Sequence, residues 1–422
     1  MNDPFFSFVI PTKNRSKYLK YALKSCLNQH FDNYEIIISD NNSTDETRKI
    51  SLSWDDKRIK YFNTGRDLSV TDNFEHGLLK AQGNYILFLA DDEAYMPYAL
   101  RELKNIIDNT NAEIVSFSRK ATYVFEGASV GVPNSIKIAP FTNKKVFIDA
   151  EYELKRLLSL KNIRYLREDF GYINRALPLA VKTVVSKNLI DSVISEVGFY
   201  HHLAPDWSAC VFSLSKIKKL ILYDRHLNMS GVVAESNGPL YASERIFDGE
   251  TANQILKIEH VPLKCPTFTN IICNAILAGK NILSPKYDHL SIDLNYYTHQ
   301  LLRDLLVWKT NDIEIETMLN EVKLFLGKSS ITEHSGFLYN FDKRRLRKFG
   351  YYFYILKKKY KNLIESREKG RSIWDHIYTG EKNGFTNILE AQEKFISIEK
   401  NLLNNPFAIK LFNKHFPNAI PI

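Results

Sequence analysis

A short apolar segment that ends in three consecutive acidic residues constrains the fold of this chain more than any other feature. Residues 85–90 are rich in aromatic and branched side chains and lead directly into Asp91, Asp92 and Glu93. Their length and composition are typical of a buried strand. Three adjacent carboxylates repel one another, and a divalent cation, which takes oxygen ligands, would relieve that repulsion. An acidic loop that caps the following helix accounts for the same residues without any ligand.

The residues around this segment alternate between strand-like and helix-like patterns. Strands are predicted at 5–11, 34–39, 59–62, 85–90 and 113–118, with amphipathic helices between them. This alternation predicts an α/β fold with a largely parallel sheet and helices on both faces. In such sheets ligands bind beyond the carboxyl ends of the strands. Polar clusters at residues 11–15, at Asp40 and at 91–93 all follow strands, so we expect them on one edge.

The composition is that of an ordinary globular protein. The 422 residues are 44% hydrophobic and 25% charged, and two or three domains are expected. No apolar run approaches the ~20 residues of a membrane span, and the first residues lack a signal peptide's basic and apolar segments. The four cysteines show no CxxC spacing, so we expect a reducing cytosol. The net charge of +9 would suit a polyanionic partner or an anionic membrane surface.

Three segments together resemble a known family. They are FVIPTKNR (8–15), EIIISDNNSTDET (35–47) and GNYILFLADDEAYMPYAL (83–100), and they occur in order at suitable separations. This chain resembles the GT-A fold glycosyltransferases of family 2, strongly over the first 120 residues and weakly over the next hundred. The resemblance implies a Rossmann-like nucleotide-sugar-binding domain.

The resemblance also implies roles for individual residues. The backbone near Pro11 and Thr12 and the carboxylate of Asp40 would hold the base of a nucleotide, and Asp91 would contact the ribose. Asp92 would bind a divalent cation, Mn²⁺ or Mg²⁺, that bridges the diphosphate, with Glu93 as a second ligand. The chain departs from the family at Lys13, where many relatives have a tyrosine, and at Glu93, where aspartate is common.

Two neighbours of Lys13 are further candidates for binding the donor. Arg15 could donate a forked pair of hydrogen bonds to the phosphates, and a solvated arginine at a helix start explains it equally well. Asn14 belongs to the same loop and is included in the predicted substrate site. Ser16 is predicted as the N-cap of the first helix, and Ser43 or Thr44 as the cap of the second.

A proline–aspartate pair, Pro205-Asp206, opens a predicted helix in the middle of the chain. An acid at this position can cap the helix or interact with its dipole. In the resembling family an acid in a comparable segment is the general base, so Asp206 is predicted to be catalytic, and the two roles are compatible. His226 follows a predicted strand and is a less favoured metal ligand. His201 and His202 are interpreted as surface or acceptor-groove residues.

The pattern changes near residues 240–250, where long helical periodicity with few glycines begins. We predict a catalytic domain at 1–245, with a nucleotide-binding half (1–120) and an acceptor half (121–245), followed by a mainly α-helical domain at 246–422. Residues 343–361 include nine Lys or Arg around an aromatic centre. An anionic membrane surface and a packed helix explain this stretch about equally, and no nucleic-acid motif accompanies it.

The sequence therefore predicts an inverting, metal-dependent glycosyltransferase of the hexosyltransferase type. It would move a sugar from a nucleoside-diphosphate donor, most simply a UDP-sugar, to a hydroxyl of an oligosaccharide or lipid-linked glycan in bacterial surface polysaccharide synthesis. The expected location is the cytoplasm, with peripheral contact to the inner face of the membrane. The alternatives are a sugar-nucleotide nucleotidyltransferase, disfavoured because residues 11–17 contain no glycine, and a non-catalytic glycan-binding or scaffold protein. A dinucleotide-binding dehydrogenase is disfavoured by the absence of GxGxxG.

Overall fold

The structure is a computed structural model that describes most of the chain. The described residues are 3–118, 121–128, 131–139, 141–161, 176–201, 204–235, 258–265, 267–310, 316–328, 376–403 and 406–422. His202, the predicted domain boundary at 240–250 and the basic stretch at 343–361 lie outside them.

The first part of the chain forms the predicted strand–helix alternation. Its elements are β1 (Phe6–Thr12), α1 (Ser16–Leu27), β2 (Tyr34–Asp40), α2 (Thr47–Leu52), β3 (Ile59–Asn63), α3 (Val70–Leu78), β4 (Tyr85–Phe88), β5 (Ala94–Tyr95), α4 (Ala99–Thr110) and β6 (Ile114–Ser118). The predicted strands are therefore present, with their ends shifted by one or two residues. Hydrophobic periodicity predicts the helix before β4 over residues 71–82, and in the structure this helix ends earlier, at Leu78.

The rest of the chain adds strands as well as helices. The middle contains β7 (Ala121–Val124), β8 (Ser135–Ile138), β9 (Lys145–Asp149), α5 (Ala150–Leu158), a 3₁₀ turn (Ala180–Lys182), β10 (Thr183–Ser186), α6 (Lys187–Val197), α7 (Pro205–Lys216), β11 (Lys219–His226) and β12 (Asn228–Val232). The C-terminal part contains α8 (Phe268–Ile282), α9 (Leu294–Thr310), α10 (Glu316–Lys328), β13 (His376–Thr379), α11 (Gly380–Asn383), α12 (Ile388–Leu402), α13 (Pro406–His415) and β14 (Ile420–Pro421).

The larger sheet has the order β14-β9-β11-β6-β10-β4-β1-β2-β3. Strands β3, β2, β1 and β4 pair in parallel, and β6 pairs in parallel with β11. Only β10 and β9 run against their neighbours, so seven of the nine strands share one direction. The predicted α/β class with a mostly parallel sheet is confirmed. The register aligns Thr12 with Asp40 and Asp40 with Asn63, which brings three strand ends to one edge.

A second sheet, ordered β13-β8-β7-β12-β5, lies beside this edge. Its strand β12 pairs with β5 directly after the acidic residues, aligning Asn228 with Tyr95 and Met229 with Ala94. This pairing places β12 against the acidic segment. The middle of the chain therefore builds part of the same site as the first hundred residues.

Two hydrophobic cores cover the two faces of the large sheet. In β1, Val9 belongs to one core, while Phe6, Phe8 and Ile10 belong to the other. Strands that are buried on both faces read as continuous apolar runs rather than alternating ones, as the central strands here do. The polar side chains of these strands are consequently concentrated at the strand ends.

The C-terminal residues pack into the same two cores. Helix α8 packs on α7, and residues of α8 to α10 belong to the core that contains Val9. In the other core, Glu399 of α12 forms a forked ion pair with Arg225, with N–O distances of 2.8 and 3.0 Å. The mainly helical character predicted for this region is present, together with β13 and β14 at sheet edges. No helix among the described residues has the length and apolar character needed to cross a membrane.

Candidate functional site

Two loops at the carboxyl ends of β1 and β2 are hydrogen-bonded to each other. The backbone N–H of Asn14 donates to Ser43 Oγ (2.8 Å), and Asn14 Oδ1 accepts from the N–H of Thr44 (2.8 Å). Asp45 Oδ2 accepts from the N–H of Ser16 (2.9 Å). The predicted caps are wrong. Ser16 is the first residue of α1 and its N–H donates to the side chain of a different loop, while the residue at the N-cap of α2 is Glu46 rather than Ser43 or Thr44. Asn14 has a φ of 53°, which asparagine tolerates better than most residues.

Asp40 is fully buried at the end of β2. Its Oδ2 accepts from the Tyr61 hydroxyl and from Asn63 Nδ2 (3.2 Å), and its Oδ1 accepts from the N–H of Ser43 (3.0 Å). A carboxylate has about four lone-pair sites, so one remains. Burial, and then the hydrogen bond to Asp40, raises the pKa of Tyr61. Asp40 is fully buried, so it could contact a nucleotide base as predicted only if the side chain of Tyr61 or Asn63 moved aside.

A third loop, at residues 64–69, closes the same end of the sheet. Asn41 exchanges two hydrogen bonds with the backbone of Leu68, at 2.9 and 2.7 Å. Lys13 Nζ lies 2.8 Å from Asp67 Oδ2 and joins this loop to the β1–α1 loop. Lys13 stands where many family members have a tyrosine, and here its ammonium is engaged by an ion pair. The three loops form one hydrogen-bonded rim around the strand ends.

The acidic segment meets this rim at Thr12 and Arg15. Thr12 Oγ1 donates to Asp91 Oδ2 (2.7 Å), and Arg15 Nη1 donates to Asp91 Oδ1 (3.1 Å). The same guanidinium nitrogen lies 3.7 Å from Asp92 Oδ2. Burial raises the pKa of Asp91 to about 6, with Arg15 opposing that rise. The two aspartates therefore share one positive charge in a largely enclosed setting.

Glu93 is placed differently from the two aspartates. It is 1% exposed, and its Oε2 accepts from Asn228 Nδ2 (3.1 Å), which also donates to the carbonyl oxygen of Val181 (3.0 Å). The prediction that Glu93 is a second metal ligand receives no support from this arrangement. Asn228 was not among the predicted site residues, because only the β5–β12 pairing brings it to the acids.

Glu235 also reaches the site from the segment that follows β12. Its backbone carbonyl oxygen accepts from Arg15 Nη2, and its carboxylate contacts Lys17 Nζ (2.8 Å) and the Tyr18 hydroxyl (3.1 Å). The guanidinium of Arg15 is thus held between Asp91 and the Glu235 carbonyl. Glu235 lies 220 residues from Arg15 in sequence, so no local pattern indicated the contact.

Asp206 lies in the first turn of α7, directly after Pro205 at the helix start. Burial raises the pKa of Tyr200 well above its usual range, and the charges of Glu75 and Asp206 add to that rise. Helix α7 packs on the 3₁₀ turn that contains Val181, and α3 packs on α7. The helix that carries Asp206 therefore packs on the turn whose Val181 carbonyl oxygen accepts a hydrogen bond from Asn228.

The two candidate histidines that the structure describes, His226 and His201, pack against aromatic rings. The ring of His226 is fully buried against Phe141 and Phe395, with Nε2 2.9 Å from the carbonyl oxygen of Ala139. It is a core histidine, and its alternative role as a metal ligand is not supported. The ring of His201 packs against Phe212.

The carboxylate oxygens of Asp91 and Asp92 fit a hard divalent cation whose other ligands would come from a substrate and water. Among the described residues no group of three or more histidine, cysteine or acidic side chains could hold a metal ion by itself. Asp91 and Asp92 nevertheless offer carboxylate oxygens that already attract the guanidinium of Arg15. Mg²⁺ is commonly bound by one or two carboxylates together with substrate phosphates and water.

Comparison with known proteins agrees with this geometry. The sequence pattern described as Glycosyl transferase family 2 matches residues 7–157. An uncharacterised glycosyltransferase of Haemophilus influenzae is 30% identical over 181 residues, which cover 41% of this chain and 71% of the relative. The chain belongs to glycosyltransferase family 2. The family match includes β1 to α4 and the acidic segment, while Asp206 lies beyond it.

One further relative of this family 2 chain and one solved structure also match parts of it. A Campylobacter jejuni protein named GalNAc(5)-diNAcBac-PP-undecaprenol beta-1,3-glucosyltransferase is 32% identical over 180 residues, covering 40% of this chain. This chain spans only 57% of that relative's length. A crystal structure of S. aureus TarS 1-349 in complex with UDP matches at 18% identity and a TM-score of 0.41, covering 60% of this chain and 68% of the other.

Proposed function

We propose that this family 2 protein transfers a sugar from a nucleoside-diphosphate donor to a hydroxyl of a glycan or lipid-linked oligosaccharide. The observation that carries the proposal is the edge at which Thr12 and Arg15 meet Asp91 and Asp92. The name of the Campylobacter relative, which specifies a lipid-linked acceptor, supports this acceptor class. A UDP-sugar is the proposed donor, and bacterial surface polysaccharide synthesis is the proposed setting.

The donor side is proposed to lie within the rim formed by the three loops. Pro11, Thr12 and Asn14 shape the end of β1, and Asp40 holds Tyr61 and Asn63 at the end of β3. The nucleoside would enter between these strand ends, where ligands of parallel sheets bind. Asp91 would accept a hydrogen bond from the ribose, and its contact with Thr12 fixes the carboxylate for that role.

The diphosphate is proposed to lie between Asp92 and Arg15. A divalent cation, Mn²⁺ or Mg²⁺, held by Asp92 would neutralise negative charge that develops on the leaving group. Arg15 presents a forked donor suited to phosphate oxygens. Glu93 is proposed to support the segment through Asn228 rather than to bind the cation.

The acceptor is proposed to bind beside the start of α7. Asp206 would remove the proton from the attacking hydroxyl, as a general base positioned by the helix start. A base that faces the leaving group across the sugar implies one in-line displacement, so the product would have the inverted anomeric configuration. A location on the cytoplasmic face of the membrane is proposed from the acceptor class, and the basic stretch at 343–361 that could attach the protein there lies outside the described residues.

A thermal-unfolding panel tests the donor site. UDP, GDP, CDP and ADP are each added with and without Mn²⁺ to the wild-type protein and to Asp92→Asn. We expect one of the four diphosphates to raise Tm, and to raise it further when Mn²⁺ is present than when it is absent. Ligands that bind only the folded state stabilise it by mass action. Asp92→Asn should lose the Mn²⁺ increment, while Asp108→Asn on the exposed face of α4 should keep it. A panel with no stabilising diphosphate would favour the non-catalytic scaffold.

A further inference from the structure

Arg15 holds a position that a divalent cation would also favour. Its Nη1 lies 3.1 Å from Asp91 Oδ1 and 3.7 Å from Asp92 Oδ2, and its side chain is 21% exposed. Burial alone would lower the pKa of Arg15, but the charges of Asp91 and Asp92 outweigh burial and raise it. The guanidinium is therefore a permanent positive charge beside the proposed metal ligand.

The structure also restrains Arg15 from moving away. Nη2 donates to the carbonyl oxygen of Glu235, and the Glu235 side chain is held in turn by Lys17 and Tyr18. The guanidinium is thus fixed at both ends, by Asp91 on one side and by the Glu235 backbone on the other. A cation that arrives at Asp92 meets this charge at short range.

We propose that Arg15 is a positioning residue that makes metal and donor binding mutually dependent, an inference that rests on the proposed function. Without a diphosphate, the guanidinium would repel a cation and compete with it for the carboxylates of Asp91 and Asp92. The negative charge of a bound diphosphate would attract both the guanidinium and the cation. Arg15 therefore weakens the binding of free metal and strengthens the binding of the metal–diphosphate pair.

This arrangement has a direct consequence for the order in which the metal and the nucleotide donor bind. Coulomb energies grow as the surroundings become less polar, so a charge this close to buried carboxylates has a larger effect than one in solvent. Coupling between two ligands is reciprocal: whatever factor the donor adds to metal affinity, the metal adds to donor affinity. The free enzyme would remain largely metal-free until a nucleoside diphosphate arrives.

Calorimetric titration of four full-length proteins tests the proposal. Mn²⁺ alone, UDP alone, and UDP in saturating Mn²⁺ are titrated into wild type, Arg15→Gln, Arg15→Lys and Lys20→Gln. The buffer is held at about pH 8, because a carboxyl group with a raised pKa must stay ionised when Arg15 is removed. Lys20→Gln is the control, since it removes one positive charge from α1, the helix that follows Arg15, and Lys20 lies over the ring of Tyr21. Circular dichroism confirms folding of each variant.

We expect Arg15→Gln to bind Mn²⁺ alone about fivefold or more tightly, and to bind UDP in saturating Mn²⁺ more weakly by a similar factor. Arg15→Lys keeps the charge and should retain part of the coupling, while Lys20→Gln should match wild type. Weaker binding of both ligands by Arg15→Gln and Arg15→Lys would assign Arg15 a structural role only. Unchanged binding of Mn²⁺ alone by Arg15→Gln would make it a phosphate ligand only. Either result overturns the inference and leaves the proposed function standing, whereas a wild-type protein that binds neither Mn²⁺ nor UDP overturns both.

Discussion

The α-carbon of Gly231 lies against the backbone of Asp92. A Cβ atom at position 231 would be 2.0 Å from the carbonyl oxygen of Asp92 and 2.9 Å from its carbonyl carbon. Strand β12 can pass over the acidic segment only because residue 231 has no side chain. The position of the Asp92 carboxylate is thus set partly by a glycine 139 residues away in the sequence.

Gly231→Ala should disturb the site without creating a cavity in either hydrophobic core. The new methyl group must push the backbone of Asp92, and a displacement of about 1 Å at a reacting group can cost on the order of 100-fold in rate. We expect a comparable loss of sugar transfer, measured as kcat/KM with a nucleotide-sugar donor. Gly127→Ala is the control: a Cβ there meets open space, although its φ of +81° makes the substitution mildly destabilising. Equal activity of the two variants would show that the close contact does not matter.

Asp206→Asn should separate chemistry from donor binding. Removing a general base typically lowers turnover by ~10²–10⁴-fold, while the diphosphate and its cation do not depend on that carboxylate. The measurement is kcat together with the Kd of UDP in the presence of Mn²⁺. Asp191→Asn, on the exposed face of the neighbouring helix α6, should behave as wild type. Wild-type kcat in Asp206→Asn would leave this residue as part of the helix start alone.

Glu75 predicts a pH dependence of stability. Burial raises its pKa, opposed by hydrogen bonds from the backbone N–H groups of Tyr200 and Phe199. The folded state therefore keeps a proton that the unfolded state releases first, so the free energy of unfolding should fall as pH rises above about 4.5. Glu75→Gln should make this slope shallower, since Asp91 with its raised pKa contributes a slope of the same sign in both proteins, and the variant should be more stable than wild type at neutral pH.

Urea unfolding between about pH 4 and 8 measures the effect, with exposed Glu46→Gln as the matched control. A Glu75→Gln protein that is less stable than wild type at neutral pH would mean that the ionised carboxylate stabilises this part of the fold.

Glu399→Ala should test how firmly α12 is joined to the sheets. The side chains of Arg225 and Glu399 are 18% and 7% exposed, and the Tyr98 hydroxyl also donates to Glu399 (2.9 Å). Removing one partner of a buried pair typically costs about 3–5 kcal/mol, because the other charge remains buried. The fall in Tm is compared with Glu393→Ala, an exposed position on the same helix. A shift no larger than that control's would mean that α12 contributes little to stability.

Local patterns predicted the helices and all but one of the strands of the first 118 residues, and they missed the two-residue strand β5. They also predicted that the polar residues at 11–15 and 91–93 would meet at one edge of the sheet, and the contacts of Thr12 and Arg15 with Asp91 agree with that. What the pattern could not indicate depends on contacts between distant residues. Asp45 caps α1 from another loop, and β10 inserts antiparallel between β4 and β6.

The same limit applied to the site. Asn228, Gly231 and Glu235 reach the acids through the pairing of β12 with β5, which no hydrophobic period reveals. The sequence also did not reveal which side chains donate hydrogen bonds to Asp40, since Tyr61 and Asn63 belong to the next strand. In each case the residue types were ordinary, and only the folded arrangement brought them next to the acidic side chains.

The pairing of β14 with β9 has a consequence for biosynthesis. Residues 420–421 pair with the free edge of β9, which spans residues 145–149. At translation speeds of about 5–20 residues per second, roughly 14 to 54 s pass between the synthesis of β9 and that of β14, and this edge of β9 stays unpaired during that time. During that interval an unpaired strand is open to association with other nascent chains, and charged residues such as Lys145 on the strand discourage it. Slower synthesis of the intervening segment should therefore increase the dependence of this protein on chaperones.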